Sequence, residues 1–431
     1  MGFNVSLSGI SAANADLNVT ANNVANVNTT GFKESRAEFS DLFNATSYGL
    51  SRNAIGAGVR LSNVAQQFSQ GNIDQTGRTL DMAIEGEGFF TMSMNGSRVY
   101  SRAGNFQADK DGYVINPQGA RLQVYAPSAD GTRFDGRLTD LQLLTTDSPP
   151  RPSSMVNLGF TLPANAASPV VSPFDPSDSN TYSHSTGGVT VYDSLGVSHL
   201  QTSYFVKTAN PNEWQVYNYI NGEPVNDGSA PGDPNATPPV APVLGNPTVL
   251  QFSDTGALVS VNGTATPPSQ INNLRAYTPS TGAGVLNLTL DVAGSTQYGE
   301  RFAMRDLRQD GYASGKLNEI SISEEGVVYA RYSNGADQAL GQVALTTFNN
   351  PQGLLNQGNN VWAETHASGA ARTGAPGSSD FGQIESGSLE ASTVDLTEQL
   401  VKMIVAQRNF QANAQMVTTQ DQITQTVINI R

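Results

Sequence analysis

The sequence predicts a mixed fold, mainly β with terminal α: coiled-coil-like helices at the N- and C-termini, an antiparallel β domain, and an inserted outer β domain. Three observations carry this reading. Apolar residues alternate in steps of three and four at the two ends of the chain. The period falls to two from Thr79 onward. Asn-Gly and Asp-Gly turn pairs flank a long Pro-rich interruption, so one β domain is interrupted by another. At 431 residues the chain exceeds one ordinary core, and a nested multidomain order accommodates that length.

Residues 1–30 form the predicted N-terminal helix of the inner domain, with Leu7, Ile10, Asn14, Leu17, Ala21 and Val24 as its seam and Gly31 as its stop. Residues 31–70 read as an extended connector with some strand, because Gly49, Gly56 and Gly58 interrupt short apolar pairs. The first part of the β domain spans 71–146. There Leu80, Met82 and Ile84 alternate with Asp81, Ala83 and Glu85, and Asn95-Gly96 and Asp111-Gly112 mark hairpins.

Seven prolines between residues 147 and 176, and seven more between 222 and 247, cannot lie in central strands. With strand-like runs at 188–191, 200–207, 214–220 and 286–292 they define the inserted outer β domain, 147–295. Hairpin grammar returns at Glu325-Gly326 and Asn334-Gly335, which makes 296–365 the second part of the β domain. A Gly-, Ser- and Ala-rich connector, 366–388, leads into the C-terminal helix, 389–431.

That helix carries Leu396, Leu400, Met403, Phe410, Ala414 and Val417, with Gln407 in the one polar slot; the stripe then steps back to Ile423, Val427 and Ile430. Ser392 with Asp395, or Asp395 with Glu398, offers a cap and a first-turn carboxylate. Burial of so few large side chains falls short of the backbone entropy of ordering the segment. The helix therefore needs a partner, in the same chain or in another copy. The expected assembly residues are Leu7, Ile10, Leu17, Val24, Leu396, Leu400, Met403, Phe410, Val417, Ile423 and Val427.

Composition narrows the function. The formal net charge is −14 and nothing resembles a basic stripe, so nucleic acid is not an expected partner. With no cysteine there are no disulfides or thiolate metal sites. Residues 1–32 hold one charged side chain, Asp16, and no Lys or Arg, which does not fit a cleavable secretory signal. No window of about 20 apolar residues exists, so no membrane insertion is expected.

Catalytic chemistry finds no constellation. His184, His199 and His366 fall in different segments, off metal-ligand spacing, and read as surface or loop residues. Asp109-Lys110-Asp111-Gly112 lacks the closing Glu of a calcium loop and reads as a hairpin turn. Gly86-Glu87-Gly88 is too short for a phosphate cradle, and Ser6-x-Ser8-Gly9 has no base nearby. The expectation is no catalytic, cofactor-binding or metal residues, no cofactor, and no enzyme.

As strings, several segments resemble the flagellar rod and hook proteins of bacteria. The run from Ala21-Asn22-Asn23-Val24 to Thr30-Gly31-Phe32-Lys33 is similar to the N-terminal signature of that axial family. Glu85-Gly86-Glu87-Gly88-Phe89-Phe90 and Tyr100-Ser101-Arg102-Ala103-Gly104-Asn105-Phe106 are similar to its β motifs. Ser388-Leu389-Glu390-Ala391-Ser392, Val394-Asp395-Leu396 and Ala406-Gln407-Arg408-Asn409-Phe410 resemble its terminal-helix signature, with Thr393 where Asn is more usual. Thr190-Val191-Tyr192-Asp193-Ser194-Leu195-Gly196 and Tyr204-Phe205-Val206-Lys207-Thr208 resemble the outer domain of the hook branch, whereas the distal rod branch is shorter and lacks a large insertion.

The resemblance implies a structural subunit that polymerises with itself into a curved helical tube, a universal joint transmitting torque from rod to filament. It implies distal rod, hook cap and hook-filament junction proteins as partners. It also implies export through the flagellar export apparatus without a cleaved signal, and a place in the extracellular flagellum. The alternatives are a distal rod or junction protein of the same system, and an extracellular β-rich adhesin.

Overall fold

The computed structural model describes residues 2–42, 56–128, 133–143, 147–232, 236, 238, 240–267 and 269–429. The chain forms two compact units, one of 1–145, 319–331 and 337–431, the other of 146–318 and 332–336. Gly49 of the expected connector, Ile430 of the expected stripe and the side chain of Val427 lie outside the described residues.

In the first unit, helix α1 (Gly2–Ala25) and helix α2 (Leu396–Asn429) are the chain ends. α1 stops at Ala25, short of the expected stop at Gly31. Turn bonds from Asn26 N–H to Asn23 O and from Thr29 N–H to Asn26 O take the chain out of the helix. Gly31 serves a close approach instead: its φ is +67°, and a Cβ there would stand 2.6 Å from Ala103 N. The described residues of 31–70 are more ordered than a connector. Strand β1 (Ser35–Leu42) and strand β2 (Gly58–Gln66) form an antiparallel ribbon, with Phe39 opposite Leu61 and Ala37 opposite Val64.

The main sheet of this unit is built from both sides of the insertion. Its path runs through Val327–Tyr332, Asp337–Val343, Arg121–Pro127, Phe89–Met94, Ser97–Ser101 and Val361–Ala363. Val124 faces Val343, and Phe90 faces Leu345, so residues on either side of the insertion complete one sheet. The expected Asn95-Gly96 hairpin joins Phe89–Met94 to Ser97–Ser101, and both turn residues have positive φ, 53° and 83°. Asp109 closes its turn by accepting the N–H groups of Asp111 and Tyr113, each at 2.8 Å.

Met82, Ile84, Phe90, Met92, Phe106, Leu122 and Val343 fill the core. A second aromatic cluster joins Phe89 to Trp362 at 5.8 Å and Tyr100 to Phe348 at 4.8 Å. The connector 366–388 also contributes sheet: Gln383–Ser386 pairs with Met82–Glu85, because Ile384 is apolar and fills the space beside Ile84.

The second unit is a β structure in which two sheets share one core. Met155–Pro163 lies between parallel Thr289–Asp291 and Thr296–Tyr298 and antiparallel Ala303–Gln309. Residues 296–318 belong to this unit rather than to the host domain expected from the sequence, because Ala303–Gln309 needs Met155–Pro163 as its ladder partner. In the other sheet Ser198–Lys207, Glu213–Ile220, Thr248–Phe252 and Leu258–Val261 follow in order. Phe160 of the first sheet meets Phe205 of the second at 4.6 Å.

His199 is buried, which corrects its expected surface position. Alternation along Ser198–Lys207 turns it inward, and its Nε2 lies 2.9 Å from the Asp193 carboxylate and its Nδ1 2.8 Å from the Asn221 amide. His184 is half-buried and stacks on Phe302 at 5.0 Å, and His366 is exposed.

Tyr219 gives this unit a measurable alkaline limit. Its ring meets Tyr204 edge-on at 5.6 Å, and its hydroxyl is buried with no hydrogen-bond partner among the described residues. Burial, reinforced by Tyr204, Asp175 and Tyr217, pushes the phenol up to about 12. An unfolded tyrosine ionises near 10, so the unfolded chain gives up this proton first. Stability is intact below about pH 10 and is lost as pH rises from about 10 toward 12. Absorbance titration of tyrosinate should show one phenol ionising about two pH units late, and Tyr219→Phe should remove that step. An unchanged titration curve in the variant would contradict the assignment.

Candidate assembly site

α1 and α2 pair antiparallel. Asn23 Nδ2 donates to Gln399 Oε1 at 3.1 Å near one end, and Gly9 faces Asn413 near the other, where an added Cβ would come within 2.5 Å of the amide oxygen. The buried positions of α1 are Ser6, Ala13, Thr20 and Asn23; those of α2 are Gln399 and Ala406, the latter 0% exposed. These inner positions are small or polar, so the two backbones can come close.

The expected assembly residues therefore do not form the buried seam of the pair. Leu7 is 48% exposed, Leu396 44%, Leu400 45%, Phe410 37% and Ile423 52%, while Ile10, Leu17, Val24, Met403 and Val417 are half-buried at the margins. On α1 the true seam is the same three-and-four row one residue earlier: Ser6, Gly9, Ala13, Asp16, Thr20 and Asn23. The physical reason is size: large side chains at every inner position would hold apart two helices that a Gly and two Ala residues allow to touch. The large ones turn outward, with Val401, Ile404, Val405 and Met416 among them.

The root of the pair is held by polar groups. Asp395 caps α2 by accepting from Thr397 N–H at 2.7 Å and Glu398 N–H at 3.1 Å. Glu34 accepts from Gln399 at 2.8 Å and from Lys402 at 2.9 Å, and Lys402 also pairs with Glu398 at 2.8 Å. Asn23 bonds the backbone of Ser35 as donor and as acceptor. Thr393, where Asn is more usual in the signature it resembles, supplies an acceptor to Glu34 N–H at 2.9 Å.

Beneath this root lies a buried ion network that the sequence reading did not single out. Lys33 Nζ is 2.7 Å from Glu390 Oε1, both side chains 0% exposed, and Arg102 Nη1 is 3.5 Å from Glu390 Oε2. Gly71 N–H donates to Glu390 Oε1 at 2.8 Å, Lys33 also donates to Ser69 O, and Arg102 Nη2 donates to Gly86 O at 2.7 Å. Burial lowers the Lys33 ammonium below the usual lysine range, and Glu390 opposes that shift. The network ties both terminal segments to the β domain. Its only sequence signal is that all three residues sit in the strings that resemble the axial family.

The ribbon of β1 and β2 lies along α1, with Val59 N–H donating to Ser8 Oγ at 3.2 Å. Between ribbon and helices runs a groove of about 480 Å³, lined in part by Asp16, Val19, Glu34, Phe39, Glu398 and Lys402. Burial raises the Asp16 carboxyl above the usual aspartate range, with the Lys402 charge pulling the other way.

Comparison with known proteins covers both ends and the insertion. Residues 3–33 match the flagella basal body rod protein family and 83–173 the flagellar hook protein FlgE/F/G D1 domain. Residues 161–312 match the flagellar basal body protein FlaE D2 domain, and 385–430 the flagellar basal body rod FlgEFG protein C-terminal family. The flagellar hook protein FlgE of Salmonella typhimurium is 37% identical over 444 residues, covering 100% of both chains. That of Escherichia coli is 36% identical with the same coverage, and that of Borreliella burgdorferi 31% identical over 99% of this chain and 98% of its own. In fold, the crystal structure of Helicobacter pylori flagellar hook protein FlgE2 is similar with a TM-score of 0.51 at 16% identity, over 74% of this chain and 100% of that one.

Proposed function

The chain belongs to the flagellar hook protein FlgE family, and on that premise we propose that it works by self-assembly into a curved, flexible tube that carries torque as a universal joint. It is a structural subunit of the hook, in the flagellum outside the cell, and its family is structural rather than enzymatic. The observation that carries the assembly reading is the outward apolar row on a helix pair whose inner seam is small and polar. Such a row is stabilised only when neighbouring copies cover it.

Contacts in a tube are heterologous and non-closing, so each copy presents two unlike surfaces, and the terminal helices supply the tight ones. The second unit, with its long Pro-rich loops, supplies weaker, wetter contacts that slide as the tube bends. The terminal segments order as the tube forms, in the manner of segments that fold on binding. Among the described residues no helix is long and apolar enough to cross a membrane. Export through the flagellar apparatus without a cleaved signal, and contacts with rod, cap and junction proteins, follow by likeness to the family.

Electron microscopy of the purified full chain under polymerising conditions tests the proposal. Curved tubes are the expected result. Straight rods would favour a rod-like role, and no polymer at any concentration would overturn self-assembly.

A further inference from the structure

We propose that Arg408 of one copy enters the groove floored by Asp16 of a second copy, forming an ion pair that sets the lateral register of neighbouring helix pairs. This rests on the self-assembly reading above and adds a specific, directional contact to it.

The charges of the helix pair lead there by elimination. α1 contains one charged residue, Asp16, and the described part of α2 contains Glu398, Lys402, Arg408 and Asp421. Lys402 is already held between Glu34 and Glu398, and Asp421 accepts from Gln425 at 3.1 Å. That leaves one acid and one base with no hydrogen bond or ion pair among the described residues, Asp16, which feels the Lys402 charge without contacting it, and Arg408.

Their surroundings are complementary. Arg408 lies about half a turn from the inner position Ala406, at the centre of the face turned away from α1. Val401, Ile404 and Val405, each about half exposed, surround it one and two turns earlier. A neighbour that covers this face by apolar contact alone would strand a guanidinium without a partner, at high cost. The covering surface must bring a carboxylate. Asp16 is half-buried in a groove whose other charged residues are the acids Glu34 and Glu398 and the bases Arg36 and Lys402, so the acids outnumber the bases by one. Val19 and Phe39 line the same groove and suit the aliphatic stem and flat head of an arginine.

The levels match as well. Asn23 beside Gln399 and Gly9 beside Asn413 set an antiparallel register that places Asp16 opposite Ala406. Arg408 is two residues further, about 3 Å along the axis. A copy packed alongside with little axial shift therefore offers its Arg408 at the height of Asp16. Donor and acceptor lie on different surfaces of each copy, so the contact repeats from copy to copy without closing.

The test is a charge exchange in the full chain. Arg408→Glu alone should raise the critical concentration for polymerisation at least about tenfold, and Asp16→Lys should do the same. Combining them should restore it to within about threefold of the parent. A double variant no better than the worse single one, or Arg408→Glu polymerising like the parent, would overturn the pair. Among the described residues Arg408 holds no group of its own chain, so circular dichroism and thermal unfolding of the Arg408→Glu monomer should be unchanged. A second measurement mixes two single-cysteine chains, Asp16→Cys and Arg408→Cys, in a protein otherwise free of cysteine. A thiol cross-linker about as long as an arginine side chain should yield the mixed dimer from the polymer; only like-with-like dimers, or none, would count against the contact. A parent chain that never polymerises would overturn the self-assembly reading, and this contact with it.

Discussion

Glu390→Ala is expected to destabilise the first unit by about 3–5 kcal/mol, since it leaves Lys33 and Arg102 buried without their shared carboxylate. Glu390 also accepts from Gly71 N–H, so its loss orphans a backbone donor. The effect should exceed that of breaking any exposed pair, such as Arg308 with Asp306, where about 1 kcal/mol or less is at stake. Chemical denaturation of the full chain reads the difference. A control sharpens it: replacing Lys33, Arg102 and Glu390 together by methionine removes the stranded charges and should recover most of the loss, to within about 1–3 kcal/mol of the parent. If Glu390→Ala unfolds at the parent's midpoint, the network does not anchor the terminal segments. The same outcome would mean that residues 31–35 and 388–392 are not packed on the β domain in solution.

The second large effect is on assembly rather than on stability. Leu400→Asp or Ile404→Asp places a carboxylate on the outward face of α2, where the parent side chains are 45% and 49% exposed. Neither position is a buried contact of the α1–α2 seam, so the monomer's unfolding should shift by no more than about 0.5 kcal/mol. Polymer should nevertheless be absent at concentrations where the parent assembles completely, because a charge would be desolvated at every repeat of the interface. Sedimentation and electron microscopy of the same samples decide it. Normal tubes from Ile404→Asp would show that this face stays wet in the polymer.

These two experiments probe features of very different legibility. The outward row was visible as a three-and-four alternation, because a long helix that collects large apolar residues on a stripe must bury them against something. The pattern left open which partner does so, and the structure turns the largest side chains, Leu400 and Phe410, away from the seam that Ser6, Ala13, Thr20 and Ala406 occupy. A periodicity argument ranks positions by hydrophobicity and so selects the wide face. How closely two helices approach depends instead on their smallest residues, such as Gly9 against Asn413, which carry little weight in such a ranking.

The ion network was illegible for a different reason. Lys33, Arg102 and Glu390 lie in three separate segments, and nothing local distinguishes a charge that will be fully buried from one that stays in water. The insertion boundary failed likewise: Ala303–Gln309 looks like any host strand until Met155–Pro163, more than a hundred residues earlier, is seen to pair with it. His199 needed only strand alternation to be placed inward, but Asp193 and Asn221 had to be brought to it before burial was affordable.

The sequence by itself determined the elements whose cause is local. Two amphipathic ends, hairpins fixed by Asn95-Gly96 and similar turns, and a Pro-rich interruption within one β grammar all follow from backbone and side-chain preferences acting over a few residues. Tertiary structure alone decided which face of each helix is inside, which strands belong to the insertion, and where buried charges meet. Those outcomes depend on close approach between segments far apart in the chain, and close approach is set by shape and by the electrostatic cost of burial rather than by local pattern.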